Sequence, residues 1–177
     1  MTVTRRRHRT RVECPGHLRF LTWSCYRHMP LLKGADARDV VLRHIFEARA
    51  ECGFRLFAWV IMPDHIHMLL HPDVERAAVP NILRRIKEPS AREILAEWRS
   101  RDAGILERIT SPRGTTHFWQ RGGGFDRNIF SREEFEEKLE YIHSNPVRAE
   151  LVNGTGAWRW SSASKDFDFK PDPVPAL

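Results

Sequence analysis

The chain has 177 residues, 41% hydrophobic and 29% charged, which fits one folded globular domain and excludes disorder, collagen and coiled coil. No apolar run nears the ~20 residues of a membrane span and the N-terminus lacks a signal-peptide core, so a cytoplasmic protein with no membrane partner is expected. Of the net charge of +6, +4 sits in residues 1–13, where Arg5, Arg6, Arg7, Arg9 and Arg11 face a single acid, Glu13.

That arm reads either as a phosphate-backbone contact, since each phosphate neutralised releases a condensed counterion, or as a solvated tail. Leu18–Tyr26 is rich in β-forming residues and reads as a strand. Asp36 is the expected cap of a helix with apolar positions at Ala37, Val40, Val41, Ile45 and Ala48, running to about Cys52 and closed by Gly53. Phe54–Met62 and His65–His71 are apolar runs of strand length separated by Pro63 and Asp64, which predicts two adjacent strands joined by a tight turn. From Pro80 a helical pattern passes through Ile82, Leu83, Ile86, Ile94, Leu95 and Trp98, and Pro89 inside it predicts two pieces. A turn-rich loop over Thr110–Thr116 leads past Gly122, Gly123 and Gly124 to a last extended segment, Phe125–Phe130.

Ser131 followed by Glu134 is a capping box, and Pro146 disfavours helical geometry at Asn145, so the next helix is expected over about Arg132–Ser144. A tryptophan-containing segment, Trp158–Ser164, and a tail with Pro171, Pro173 and Pro175 complete the chain. The expected organisation is an arm over 1–13, one domain over 14–164 and a mobile tail over 165–177. The element order predicts an α+β, ferredoxin-like sandwich. The three cysteines, Cys14, Cys25 and Cys52, are too far apart for a metal knuckle and are expected to be inert thiols.

Two constellations carry chemistry. His65 and His67 are two apart, so a strand sends both imidazoles from one face, as half of a metal site or as the commoner pair of partly buried histidines. Lys138, Tyr141 and Asn145 share one helix face, while Phe135, Leu139 and Ile142 form the inward stripe. Tyr141 reads as a boundary residue with a wet hydroxyl or as a reactive phenol, its one competitor being Tyr26.

Three segments, WVIMPDHIHMLL (Trp59–Leu70), FWQRGGGFDRNIF from Phe118 and YIHSNPVRAELV from Tyr141, resemble the REP-associated tyrosine transposases of the single-tyrosine HUH transposase superfamily. The resemblance spans about Leu18 to Ser162. It implies that His65 and His67, on a central strand of an antiparallel sheet, hold a divalent cation, Mg²⁺ or Mn²⁺, with Asn145 completing the set. It implies that Tyr141, on a C-terminal helix, is the nucleophile that nicks and rejoins single-stranded DNA through a 5′-phosphotyrosine; a phenol needs activation, which either Lys138 or the metal would supply by favouring the phenolate.

The implied substrate is single-stranded DNA bearing a hairpin of REP type, acted on by a nucleoid-associated monomer or homodimer. The arginine arm and the Arg84, Arg85 and Lys87 cluster would then contact the DNA backbone. Pro89 and the glycine triplet are departures that bear on the site's geometry. Two other readings stand beside this one. One is a domesticated, non-catalytic nucleic-acid-binding module of the same fold. The other is an HxH hydrolase, which lacks an obvious nearby carboxylate base other than Asp64 and leaves the tyrosine helix unexplained.

Overall fold

Strands β2 (Arg55–Ile61) and β3 (His65–His71) form an antiparallel hairpin, closed where the Met62 amide donates to the His65 carbonyl at 2.8 Å. Pro63 and Asp64 are the turn between them. Both strands read as nearly unbroken apolar runs because this sheet is buried on both faces. The computed structural model describes residues 17–122, 124–166 and 170–173. The arginines at positions 5, 6, 7, 9 and 11, Cys14, and much of the expected C-terminal tail lie outside the described residues.

β1 (Leu18–Ser24) pairs with β3 on one side and with β4 (Phe125–Ile129) on the other, all antiparallel, giving the order β2-β3-β1-β4. That is the order of a split βαβ arrangement, so the α+β, ferredoxin-like architecture holds. Helices α1 (Ala35–Cys52) and α2 (Val79–Ser100) cover one face, where Leu21, Trp23, Trp59, Ile66 and Met68 pack with Val41, Ile45, Ile82 and Ile86. The opposite face, with Phe20, Val60, Leu69 and Ile129, packs with Phe135 and Ile142 of the last helix, α4 (Arg132–Arg148). The fold therefore has three layers, with α4 and the segment around Trp158 on this side of the sheet. A short α3 (Ile105–Ile109) was not expected from periodicity, because five residues are too few to show one.

Several boundaries differ from expectation. Gly34, not Asp36, is the N-cap of α1, and Asp36 sits in the first turn with its charge at the positive helix end. Gly53 closes α1 in the left-handed region, φ 71°, its amide bonded to the Arg49 carbonyl. Pro89 does not divide α2. Around it, Ser90 Oγ donates to the Ile86 carbonyl at 2.6 Å, and the Trp119 indole donates to the Lys87 carbonyl at 2.9 Å, so side chains take up backbone acceptors near the missing amide. Likewise α4 continues through Pro146, which is buried in the last turn, so that packing of its ring offsets the hydrogen bond its missing N–H forfeits.

The outer edge of β2 is closed by the C-terminal segment. The Ile61 amide donates to the Trp160 carbonyl and the Ser162 amide to the Trp59 carbonyl, both at 2.9 Å, and Asp172 exchanges bonds of 2.6 and 2.7 Å with the Leu56 backbone.

Candidate active site

The register of β3 decides what surrounds the histidines. Thr22 of β1 and Val60 of β2 lie directly across from His67 on the same face, and this is the face that α4 covers. Thr22 Oγ1 stands 2.7 Å from His67 Nδ1, which fixes the ring and turns Nε2 away from the strand pair. That Nε2 is buried and has no hydrogen-bond partner among the described residues. Burial, with the neighbouring His65 second, pushes the His67 pKa down to about 3, so the ring is neutral at physiological pH with a lone pair available.

His65 is held differently. Its Nδ1 lies 2.7 Å from Asp64 Oδ1, and because a carboxylate only accepts, Nδ1 is the donor and Nε2 is the nitrogen left to face a ligand. The two rings are 4.7 Å apart between centroids. Among the described residues no third histidine, cysteine or carboxylate completes a metal cage. Two oriented imidazoles, one with an orphaned buried nitrogen, still fit as partial ligands of a cation that takes its remaining donors from an amide, water or substrate.

Ser131 caps α4, its side chain accepting the Glu134 amide at 3.2 Å, and Glu134 returns a bond to the Phe130 amide at 2.9 Å. With its start fixed and Phe135 and Ile142 buried, the helix presents Lys138, Tyr141, Asn145 and Arg148 along one ridge. The Tyr141 ring lies 5.1 Å from the His67 ring at 71°. Phe20 stacks on His67 at 5.5 Å and meets Tyr141 edge-on at 6.0 Å, forming the floor beneath both. The Lys138 amine pairs with Glu137 at 2.6 Å and lies 5.9 Å from the Phe20 ring centre. Asn145 follows Tyr141 by one turn.

The structure thus brings His65, His67 and Tyr141 together. It leaves Arg84, Arg85 and Lys87 on α2, in the layer across the sheet. Arg85 pairs with Glu51 at 3.2 Å and the Lys87 amine donates to the Gly122 carbonyl at 3.3 Å, with burial lowering the Lys87 pKa. Tyr26, half-buried, packs on the α1/α2 side against His117, 5.0 Å between rings. Cys25 and Cys52 are free and buried, and burial pushes the Cys25 thiol up to about 12. No helix among the described residues is long and apolar enough to cross a membrane.

Sequence reasoning missed Thr22, Phe20 and Arg148, and weighed Asp64 only as a hydrolytic base. Gly124, of the glycine triplet singled out in the sequence, does bear on the site. It sits at φ +73°, and a Cβ there would lie 2.0 Å from the Thr22 carbonyl oxygen, so one residue of the glycine triplet lets β4 approach the strand that orients His67.

Known proteins resemble this chain in sequence and in fold. The chain is 23% identical over 127 residues to the REP-associated tyrosine transposase of Escherichia coli, an alignment covering 71% of this chain and 65% of that protein. It is 32% identical over 74 residues to the ISDra2 transposase TnpA of Deinococcus radiodurans, covering 41% and 50%. The matches thus span less than two thirds of either relative. The solved structure of a REP-associated tyrosine transposase bound to a REP hairpin superimposes with a TM-score of 0.58 at 18% identity, covering 94% of this chain and 98% of that one, so the two share a fold. Residues 16–145 match the model of the family described as IS200-like transposases, and with most of its length so matched the chain belongs to that family.

Proposed function

We propose that the protein is a metal-dependent single-strand DNA nickase and ligase of transposase type, with Tyr141 as its nucleophile. The observation that carries this reading is the Tyr141 ring 5.1 Å from a neutral histidine whose inner nitrogen is buried without a partner. His65, His67 and Asn145 would hold Mg²⁺ or Mn²⁺, which when bound polarises the phosphoryl oxygens of the scissile phosphate. Asp64 makes Nδ1 of His65 the donor, and Thr22 holds the His67 ring in the orientation that ligation needs.

Tyr141 Oη gives its proton to solvent and attacks phosphorus. The Oη–P bond forms and the P–O3′ bond breaks, leaving a 5′-phosphotyrosine and a 3′-hydroxyl that takes up a proton. Because the phosphodiester is exchanged and not hydrolysed, the reverse attack by a 3′-hydroxyl rejoins the strand. Lys138, one turn before Tyr141, adds positive charge to the same ridge. Tyr141 stands against the histidines of its own chain, which supports a site complete within one protomer.

The substrate is single-stranded DNA with a small hairpin, a reading supported by the REP hairpin bound in the solved relative. The arm bearing Arg5, Arg6, Arg7, Arg9 and Arg11 would grip its backbone. Arg84, Arg85 and Lys87 face away from Tyr141, so they would serve only DNA that wraps past the sheet.

Labelled hairpin DNA with Mn²⁺ is expected to give a denaturation-resistant adduct that Tyr141→Phe abolishes while retaining noncovalent binding. Paired alanine substitution of His65 and His67 is expected to abolish it as well. An adduct that survives in Tyr141→Phe refutes the assignment, and tight binding without any wild-type adduct favours the non-catalytic module.

A further inference from the structure

Arg148 occupies the last turn of α4, seven residues after Tyr141, so the two lie on the same ridge with Asn145 between them. Helical side chains lean toward the N-terminus, and the Arg148 guanidinium leans far enough to lie 5.4 Å from the centre of the Tyr141 ring. A cation in a last helical turn is favourable for the helix dipole alone, and that would account for its presence. It does not account for what the guanidinium does with its donors.

Several other arginines on or beside the helices are committed. Arg127 pairs with Glu134 at 2.5 Å, Arg101 with Glu97 at 2.5 Å, and Arg43 with both Glu47 and Glu93. On the tyrosine ridge itself, Lys138 pairs with Glu137. Arg148 is exposed, and among the described residues its one contact is the aromatic ring, with no carboxylate beside it. Among the described residues, the five N–H donors of this planar fork therefore have no acceptor, next to the hydroxyl-bearing ring. A fork of that geometry matches two oxygens of one phosphate, which a lysine's point charge does not.

We infer that Arg148 is the phosphate clamp of this site, donating paired hydrogen bonds to the non-bridging oxygens of the phosphate that Tyr141 attacks. The inference rests on Tyr141 being the nucleophile. As Oη–P forms and P–O3′ breaks, one further negative charge gathers on those oxygens, and a guanidinium already in place stabilises it without reorganisation and without transferring a proton. Lys138, the other cation of the ridge, is paired with Glu137, so Arg148 is the cation of this ridge poised to balance that charge.

The test measures single-turnover adduct formation by the full chain on a hairpin oligonucleotide with Mn²⁺, alongside DNA affinity and thermal stability. Arg148→Gln is expected to slow the adduct rate by about 100-fold, with affinity and melting temperature nearly unchanged. Arg148→Lys is expected to fall between, because it keeps the charge and loses the fork. Methylguanidinium in solution is expected to restore part of the rate to Arg148→Gln and none to wild type. A wild-type rate in Arg148→Gln overturns the clamp, as does a loss of rate matched by an equal loss of affinity or stability. If wild type forms no adduct, the nucleophile reading fails and the clamp with it; if wild type forms one at the same rate as Arg148→Gln, the clamp alone fails.

Discussion

His67 makes the fold pay for acid. In the unfolded chain its pKa returns to the ordinary 6.5, while in the fold burial holds it at about 3. Below pH 6.5 the unfolded state binds a proton that the folded state refuses, so stability falls as pH drops from 6.5 toward 3 and levels off below that. Between pH 7 and pH 5 this one group should remove about 2 kcal/mol, at 1.36 kcal/mol per unit of separation. His143, also depressed by burial, titrates with the same sign and must be subtracted. His67→Gln does so, since it keeps a polar side chain near Thr22 and every other titrating group. Urea denaturation at both pH values in the presence of a chelator gives the two differences. Wild type is expected to lose about 2 kcal/mol more than His67→Gln over this interval. Parallel losses would refute the account of His67 as a buried neutral imidazole.

Gly124→Ala should cost more than about 2 kcal/mol by thermal melting, because it adds a Cβ against the Thr22 carbonyl at positive φ; an unchanged melting temperature would show that β4 can back away. Arg19 and Asp126 form a buried ion pair, 2.7 Å apart with side chains 4% and 6% exposed. Asp126→Ala should destabilise by about 3–5 kcal/mol, and the double change to Arg19→Met and Asp126→Leu should recover most of it. Thr22→Val leaves His67 Nδ1 without its partner, so Mn²⁺ affinity by calorimetry should fall about 10-fold or more with little change in fold. Deleting residues 1–12 removes five arginines and should flatten the slope of log affinity against log salt by about 0.7 per lost single-strand contact; an unaltered slope returns the arm to a solvated tail.

The strand carrying the histidines could be read in the sequence to its last residue, because Pro63 and Asp64 break the apolar run and a two-residue spacing on a strand has one structural meaning. The tyrosine ridge was legible for the same reason, since α4 announces its start with Ser131 and Glu134. Its end was not, because Pro146 signals a stop by local sterics while its burial is a tertiary fact. Pro89 misled in the same way, the carbonyls around it being served by Ser90 and by Trp119, thirty positions along the chain. Thr22 could not be seen as a partner of His67, forty-five residues away, until the β1–β3 register was known. For Arg84 and Arg85, helical periodicity shows that they point outward from α2 but not which side of the sheet α2 covers. That depends on the strand order.

The closure of β2 by residues beyond α4 has a practical meaning for anyone cutting this chain down. A fragment ending with α4 would keep both histidines and Tyr141, yet it would strip Trp160, Ser162 and Asp172 from the backbone of β2, and the Trp158 indole from the Ile61 carbonyl. The bared strand, Arg55–Ile61, is almost wholly apolar, and its unpaired amides and carbonyls would offer a template for another molecule to add a strand. Such a fragment should aggregate before its chemistry can be assayed. The smallest piece worth expressing extends through Asp172.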